Sequence, residues 1–169
     1  HIGSTLEWKD VTLALAQAQE NLVHQRVSEA LNRTQAVVEL ALDGTVQHAN
    51  ENFLNTLGYT LAEIKGRHHR MFVDSAYAQS PEYKLFWEAL GRGEPQAGQF
   101  KRLGRGDKEV WLQASYNPIL DASGNAIKVV KYATDITQER LKAADFQGQI
   151  AAVAKAQAVI SFELDGTIT

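Results

Sequence analysis

The chain of 169 residues contains no cysteine. That absence excludes disulfides, thiolate metal sites and cysteine nucleophiles together, and it fits a reducing compartment. Long apolar runs are missing too. No stretch approaches the roughly 20 residues that span a bilayer, so no membrane insertion is expected of this segment. The opening His1-Ile2-Gly3-Ser4 lacks a signal-peptide pattern. Basic runs are absent and the formal net charge is −3. Phosphate backbones need clustered Lys and Arg, so nucleic acid is not an expected partner. Catalytic signatures are equally scarce, with no glycine-rich phosphate loop and no His/Glu set at metal spacing. Asp43, Asp121 and Asp165 sit in turns, and Ser75, Ser80 and Ser115 have no local base beside them. No enzyme activity is expected. What is present is ordinary for a soluble globular protein: 44% hydrophobic and 22% charged residues, at a length that suits one domain plus extra segments.

Internal similarity is the most informative positive feature. Ala36-Val37-Val38-Glu39-Leu40-Ala41-Leu42-Asp43-Gly44-Thr45-Val46 returns as Ala158-Val159-Ile160-Ser161-Phe162-Glu163-Leu164-Asp165-Gly166-Thr167-Ile168. Each copy reads as a strand, an Asp-Gly turn and the start of a second strand. Residues 157–169 are therefore expected to be the first hairpin of a following repeat, cut short. Leu6-Glu7-Trp8-Lys9-Asp10-Val11-Thr12 echoes Lys131-Tyr132-Ala133-Thr134-Asp135-Ile136-Thr137, so residues 1–12 are read as the last strand of a preceding repeat. Residues 13–32 and 138–156 read as linker helices starting near Thr12 and Thr137. In the second linker, Ala143, Phe146, Ile150 and Val153 recur at steps of 3, 4 and 3, an apolar seam that needs a partner, for which a second copy of the chain is one candidate.

The middle of the chain, residues 33–137, reads as one α+β domain. Two strands, about Ala36–Ala41 and Thr45–Ala49, precede short helical turns at Asn52–Leu57 and Leu61–Ile64. Gly66 to Phe72 is irregular or a short helix. Pro81–Leu90 is a helix capped by Ser80, with Leu85, Phe86 and Ala89 as its apolar side. Strands Gln99–Leu103, Lys108–Ile119 and Ile127–Thr134 follow. A five-stranded antiparallel sheet with short helices on one face is the expected result. Along the long strand Val110, Leu112, Ala114 and Tyr116 share the inner side. Trp111 then faces the other way, where a linker helix is expected to cover it. Asn50 is expected to satisfy local backbone groups, and His48 to be exposed.

The motif order now resembles a known family. Asp43-Gly44-Thr45, Ala49-Asn50, Phe53, Gly58-Tyr59, Gly66, Phe86-Trp87-Glu88-Ala89-Leu90, Gly93-Glu94, Phe100-Lys101-Arg102, Trp111, Asn117-Pro118-Ile119 and Asp135-Ile136-Thr137 resemble PAS domains over about Asn32 to Thr137. His68-His69-Arg70-Met71-Phe72 and the two long strands look like the tandem PAS modules of methyl-accepting chemotaxis receptors. The resemblance implies the PAS fold and a sensory input domain of a cytoplasmic bacterial signalling protein. It would sense a small molecule, oxygen or redox state, and its effector would lie outside this chain. It also implies a homodimer through the linker helices, adjacent PAS repeats, and a relay through Asp135 and Thr137, with Trp111 tying sheet to helix. The alternative is a ligand-free module used for dimerisation and relay only.

Within that resemblance the pocket candidates are Arg67, His68, His69, Trp87, Phe100, Leu112 and Tyr116. His69 stands where light-oxygen-voltage (LOV) domains carry their cysteine, and Leu112 where they carry an asparagine, so a flavin–cysteinyl adduct is excluded. Arg67-His68 and Trp87 resemble flavin-binding aerotaxis PAS domains, although Arg70 replaces an acidic residue, and FAD stays open. Haem stays open through His69 or His68, since imidazole is a usual axial ligand. No cofactor at all is the third reading. For His68 and His69 the plain alternative is a solvated or backbone-bonded pair, and for Trp87 it is core packing.

Overall fold

A computed structural model describes the backbone of residues 3–164 and the side chains of residues 8–155. The first helix, α1 (Gly3–Thr34), is longer than the linker read from the sequence. The extended conformation expected for Leu6 to Thr12 is replaced by helix. Among the described residues no strand pairs with that segment, and a helix satisfies its backbone internally. Thr12 accordingly does not cap a helix start, and its Oγ1 donates to the Trp8 carbonyl one turn back at 2.8 Å. At the other end α6 (Thr137–Leu164) runs through the residues expected to form a strand from Ala158. An unpaired strand is not stable alone, and the Ala-rich stretch before it favours helix. The Asp165-Gly166 turn expected beyond it lies outside the described residues.

Between these helices the expected α+β architecture is present. β1 (Ala36–Leu40) and β2 (Val46–Ala49) form the first hairpin, and β3 (Gln96–Leu103), β4 (Glu109–Leu120) and β5 (Ala126–Asp135) form a meander. The sheet order is β2-β1-β5-β4-β3, antiparallel throughout. β1 therefore lies beside β5 at the centre, and β3 is a free edge.

The short helices α2 (Glu51–Leu57), α3 (Leu61–Ile64), α4 (Ser75–Ala78) and α5 (Pro81–Gly91), with a 3-10 turn at His69–Phe72, cover one face. Their apolar side chains Phe53, Leu57, Ile64, Phe72 and Leu90 meet Val38, Leu40, Leu112 and Val129 of the sheet in one core. On α5 the buried side is Tyr83, Ala89 and Leu90, with Phe86 and Trp87 half-buried. Leu85, expected there, is 60% exposed, because Tyr83, Phe86 and Leu90 already form the 3- and 4-residue stripe that meets the sheet.

Asn50 joins α1, β1 and α2. Its Oδ1 accepts the Val37 and Phe53 amides at 2.9 and 3.0 Å, and its Nδ2 donates to the Gln35 carbonyl at 2.8 Å. That is the backbone-satisfying role expected of it. His48 is exposed. Among the described residues no helix is long and apolar enough to cross a membrane.

Candidate functional site

The segment Gly66–His69 is held as an extra edge against β2. Gly66 N–H donates to the Val46 carbonyl, Val46 N–H to the Arg67 carbonyl, and His69 N–H to the Gly44 carbonyl, at 2.7–2.8 Å. With its backbone tied down, the His69 imidazole enters the space between α5 and the sheet, where it is fully buried. Gly44 makes this approach close. Its φ is +86°, and a Cβ there would lie 2.8 Å from the His68 ring and 3.2 Å from Trp87, so both the turn and the packing require glycine.

Inside, His69 is held between two phenols. Nδ1 is 3.0 Å from the Tyr83 hydroxyl and Nε2 is 3.1 Å from the Tyr116 hydroxyl. Burial, together with the charges of Arg102 and Lys131, holds its pKa well below the usual imidazole value, so the ring is neutral. A neutral imidazole donates through one nitrogen and accepts through the other, which matches its two hydroxyl neighbours. Burial pushes Tyr83 up to about 12. Burial also raises Tyr116, but the Lys131 and Arg102 charges and hydrogen bonds outweigh it and the net shift is downward. Arg102 Nη2 donates to the Tyr116 hydroxyl at 3.0 Å. Lys131 Nζ lies 4.8 Å over the Tyr116 ring and 5.7 Å over the Phe53 ring. Phe86 and Phe100 meet Tyr116 edge-on at 4.9 and 5.5 Å.

The outgoing helix is fastened to the opposite face. Thr137 Oγ1 accepts the Trp111 backbone N–H at 2.9 Å, and the Ile136 N–H donates to the Trp111 carbonyl at 2.8 Å. Asp135 Oδ1 accepts the Thr137 hydroxyl and amide at 2.6 and 2.9 Å. The Arg140 guanidinium lies 3.7 Å over the Trp111 ring and its Nη1 donates to Gln99 Oε1. Thus the cover expected for Trp111 is a single arginine from the first turn of α6.

With sheet order, helix placement and this exit in view, comparison with known proteins is decisive. A family model described as the PAS fold matches residues 31–141. The chain belongs to the PAS family. It is 46% identical over 139 residues to the biofilm dispersion protein BdlA of Pseudomonas aeruginosa, covering 82% of this chain and 33% of that protein. It is 28% identical over 104 residues to the aerotaxis receptor of Escherichia coli, covering 62% of this chain and 20% of the receptor. The chain therefore spans about a third and a fifth of these relatives. An RNA-binding light-oxygen-voltage receptor superposes with TM-score 0.61 at 20% identity, covering 82% of this chain and 39% of that one. A PAS domain from Colwellia psychrerythraea gives 0.59 at 16%, covering 69% and 98%. At such identities the structures speak for the PAS fold alone.

The PAS site candidates separate into groups. His69, Leu112 and Tyr116 are fully buried, which removes the solvated reading for His69. His68 and Trp87 border a surface cleft of about 670 Å³ with Arg70 and Tyr83. Arg67 is exposed and borders no part of that cleft, whose cations are Arg70 and Lys84; a guanidinium is cheapest in water. Phe100 is half-buried on β3. Haem does not fit this arrangement. Both His69 nitrogens face tyrosine hydroxyls, while His68 Nδ1 accepts the Arg70 amide and the far side of its ring packs over Gly44. Beside it, the buried Trp87 Nε1–H lacks a well-formed hydrogen bond among the described residues and has only a weak one to the Tyr83 hydroxyl.

Arg102 and Lys131 were not anticipated. Both face inward and are 3% and 1% exposed. Strand alternation held the signal, since Lys131 lies in the row of Val129 and Ala133, and Arg102 pairs with the inward Val110. A charged residue is read as solvated by default, and that default hid them.

Proposed function

We propose that this PAS domain is the sensory input module of a cytoplasmic bacterial receptor of the chemotaxis type. It has no enzyme activity, and it responds to occupancy of the cleft beside Trp87. The observation that carries the reading is the fastening of α6 to β4: Thr137 on the Trp111 amide and Arg140 on its indole. A change in the sheet has a direct mechanical route to the outgoing helix there. The occupant favoured is a planar cofactor such as a flavin. The Trp87 N–H, weakly satisfied by Tyr83 and without a well-formed hydrogen bond among the described residues, supports it, as does the flavin in the name of a light-oxygen-voltage domain of the same fold. The adduct chemistry of such domains is unavailable without a cysteine. The exposed apolar residues Leu22, Val23 and Val27 of α1, and Phe146, Ile150 and Val153 of α6, support homodimerisation through the two helices. Further PAS repeats and an effector domain are proposed for the longer protein.

A second reading has its own support. Tyr116, Phe86, Phe100 and His69 fill the space between α5 and the sheet, as expected of a ligand-free relay module. An absorption spectrum of freshly purified protein separates the two. Flavin bands that weaken in Trp87→Leu establish the cofactor reading. A colourless protein that also takes up no added FAD establishes the relay reading.

A further inference from the structure

A groove of about 440 Å³ runs along the free edge of β3 and shares no lining residue with the cleft beside Trp87. Tyr77, Phe100 and Trp111 are its aromatic walls, and Lys101, Arg102 and Asp74 are its charged groups. Two of those charges are already engaged. Lys101 pairs with Glu109 at 2.5 Å, and Asp74 Oδ1 accepts the Ala76 amide at 2.9 Å. Arg102 is different. It is 3% exposed, and no ion pair among the described residues involves it. Nη1 donates to the Lys101 carbonyl and Nη2 to Tyr116, while Nε–H has no acceptor among the described residues. A buried guanidinium without a countercharge, and with one donor unpaired, opposes folding. Violations of this kind concentrate where a protein binds something.

We propose that this groove binds a small planar organic anion, with its carboxylate on Arg102 and its ring against Phe100 and Tyr77. The guanidinium fork suits a carboxylate, and the aromatic walls suit a flat apolar body. Such an occupant would touch Trp111, the residue whose amide and indole hold the first turn of α6. It would therefore bias the exit of the helix if it bound two arrangements of that joint unequally. The site has its own lining, distinct from that of the cleft beside Trp87, and requires no flavin.

Benzoate, with isosteric neutral benzamide as control, tests it by amide and side-chain NMR of the whole chain. Benzoate is expected to move the Trp111 indole and Arg102 Nε–H signals saturably, with Kd of about a millimolar or tighter, and to leave the Trp87 indole in place. Arg102→Leu is expected to abolish the shift. If that variant does not fold, Tyr77→Ser on the half-exposed wall is expected to weaken binding by about fivefold or more. No saturable shift at Trp111, equal binding of benzamide, shifts confined to Trp87, or unchanged affinity in the folded variants would each overturn the proposal.

Discussion

The His69 imidazole and the Tyr116 hydroxyl meet at 3.1 Å in the interior, with Tyr83 completing a tyrosine–histidine–tyrosine chain. The imidazole and the Tyr116 ring are cut off from water, so they rely on protein partners, with Arg102 donating to Tyr116 as well. His69→Phe keeps the volume but leaves two buried hydroxyls short of a partner. It is expected to cost about 1–3 kcal/mol in denaturant unfolding.

The same histidine makes stability depend on pH. In the unfolded chain it titrates near 6.5, while in the folded protein its pKa lies well below that. Between the two values the unfolded state holds more protons, so stability rises with pH and is lost as pH falls below about 6.5. Unfolding free energies at about pH 5 and pH 7 are expected to differ less in His69→Phe than in wild type. An unchanged difference would mean that the carboxylates carry it.

Lys131 buries an ammonium against the Phe53 and Tyr116 rings and the Tyr116 hydroxyl, with no carboxylate partner among the described residues, and burial is the first cause of its lowered pKa. Lys131→Met keeps the stem and removes the charge. The variant is expected to be more stable than wild type by about 1 kcal/mol or more in thermal unfolding. A destabilised variant would show that the ammonium–ring contacts outweigh its desolvation.

Gly104 explains itself by packing and not by torsion. Its φ is −83°, open to any residue, yet a Cβ there would sit 2.6 Å from the Leu57 carbonyl oxygen. Gly104→Ala forces α2 and the β3–β4 turn apart and is expected to cost about 1–3 kcal/mol. A melting temperature equal to wild type would contradict that packing.

Much of this arrangement was legible in the residues. Alternation along β4 assigned Val110, Leu112, Ala114 and Tyr116 to the interior, and all four are buried. The Asp-Gly and Asp-Ala-Ser-Gly turns marked their hairpins through side-chain and glycine geometry that is local in sequence. What was not legible depends on partners. The segments at Leu6 and Ala158 carry strand-like patterns, but a strand exists only where another pairs with it, and helix prevails in both. Arg102, Lys131 and the Arg140–Trp111 contact were missed for a related reason. Each joins elements distant in sequence, and although alternation placed Lys131 and Arg102 on the inner face, the default that charges are solvated overrode it.

The central claim is that α6 is coupled to the sheet through Thr137 and Trp111, and amide hydrogen exchange in Thr137→Val tests it most directly. The hydroxyl acceptor of the Trp111 amide disappears, and with it the shorter of the two bonds to Asp135, while the Thr137 amide keeps the other. Protection is expected to fall by about tenfold, roughly 1 kcal/mol, at Trp111 and through the first turn of α6 as far as Arg140, while Val38 and Leu112 stay protected. Unchanged exchange at Trp111 and Arg140 would contradict the coupling, as would an equal loss throughout the core.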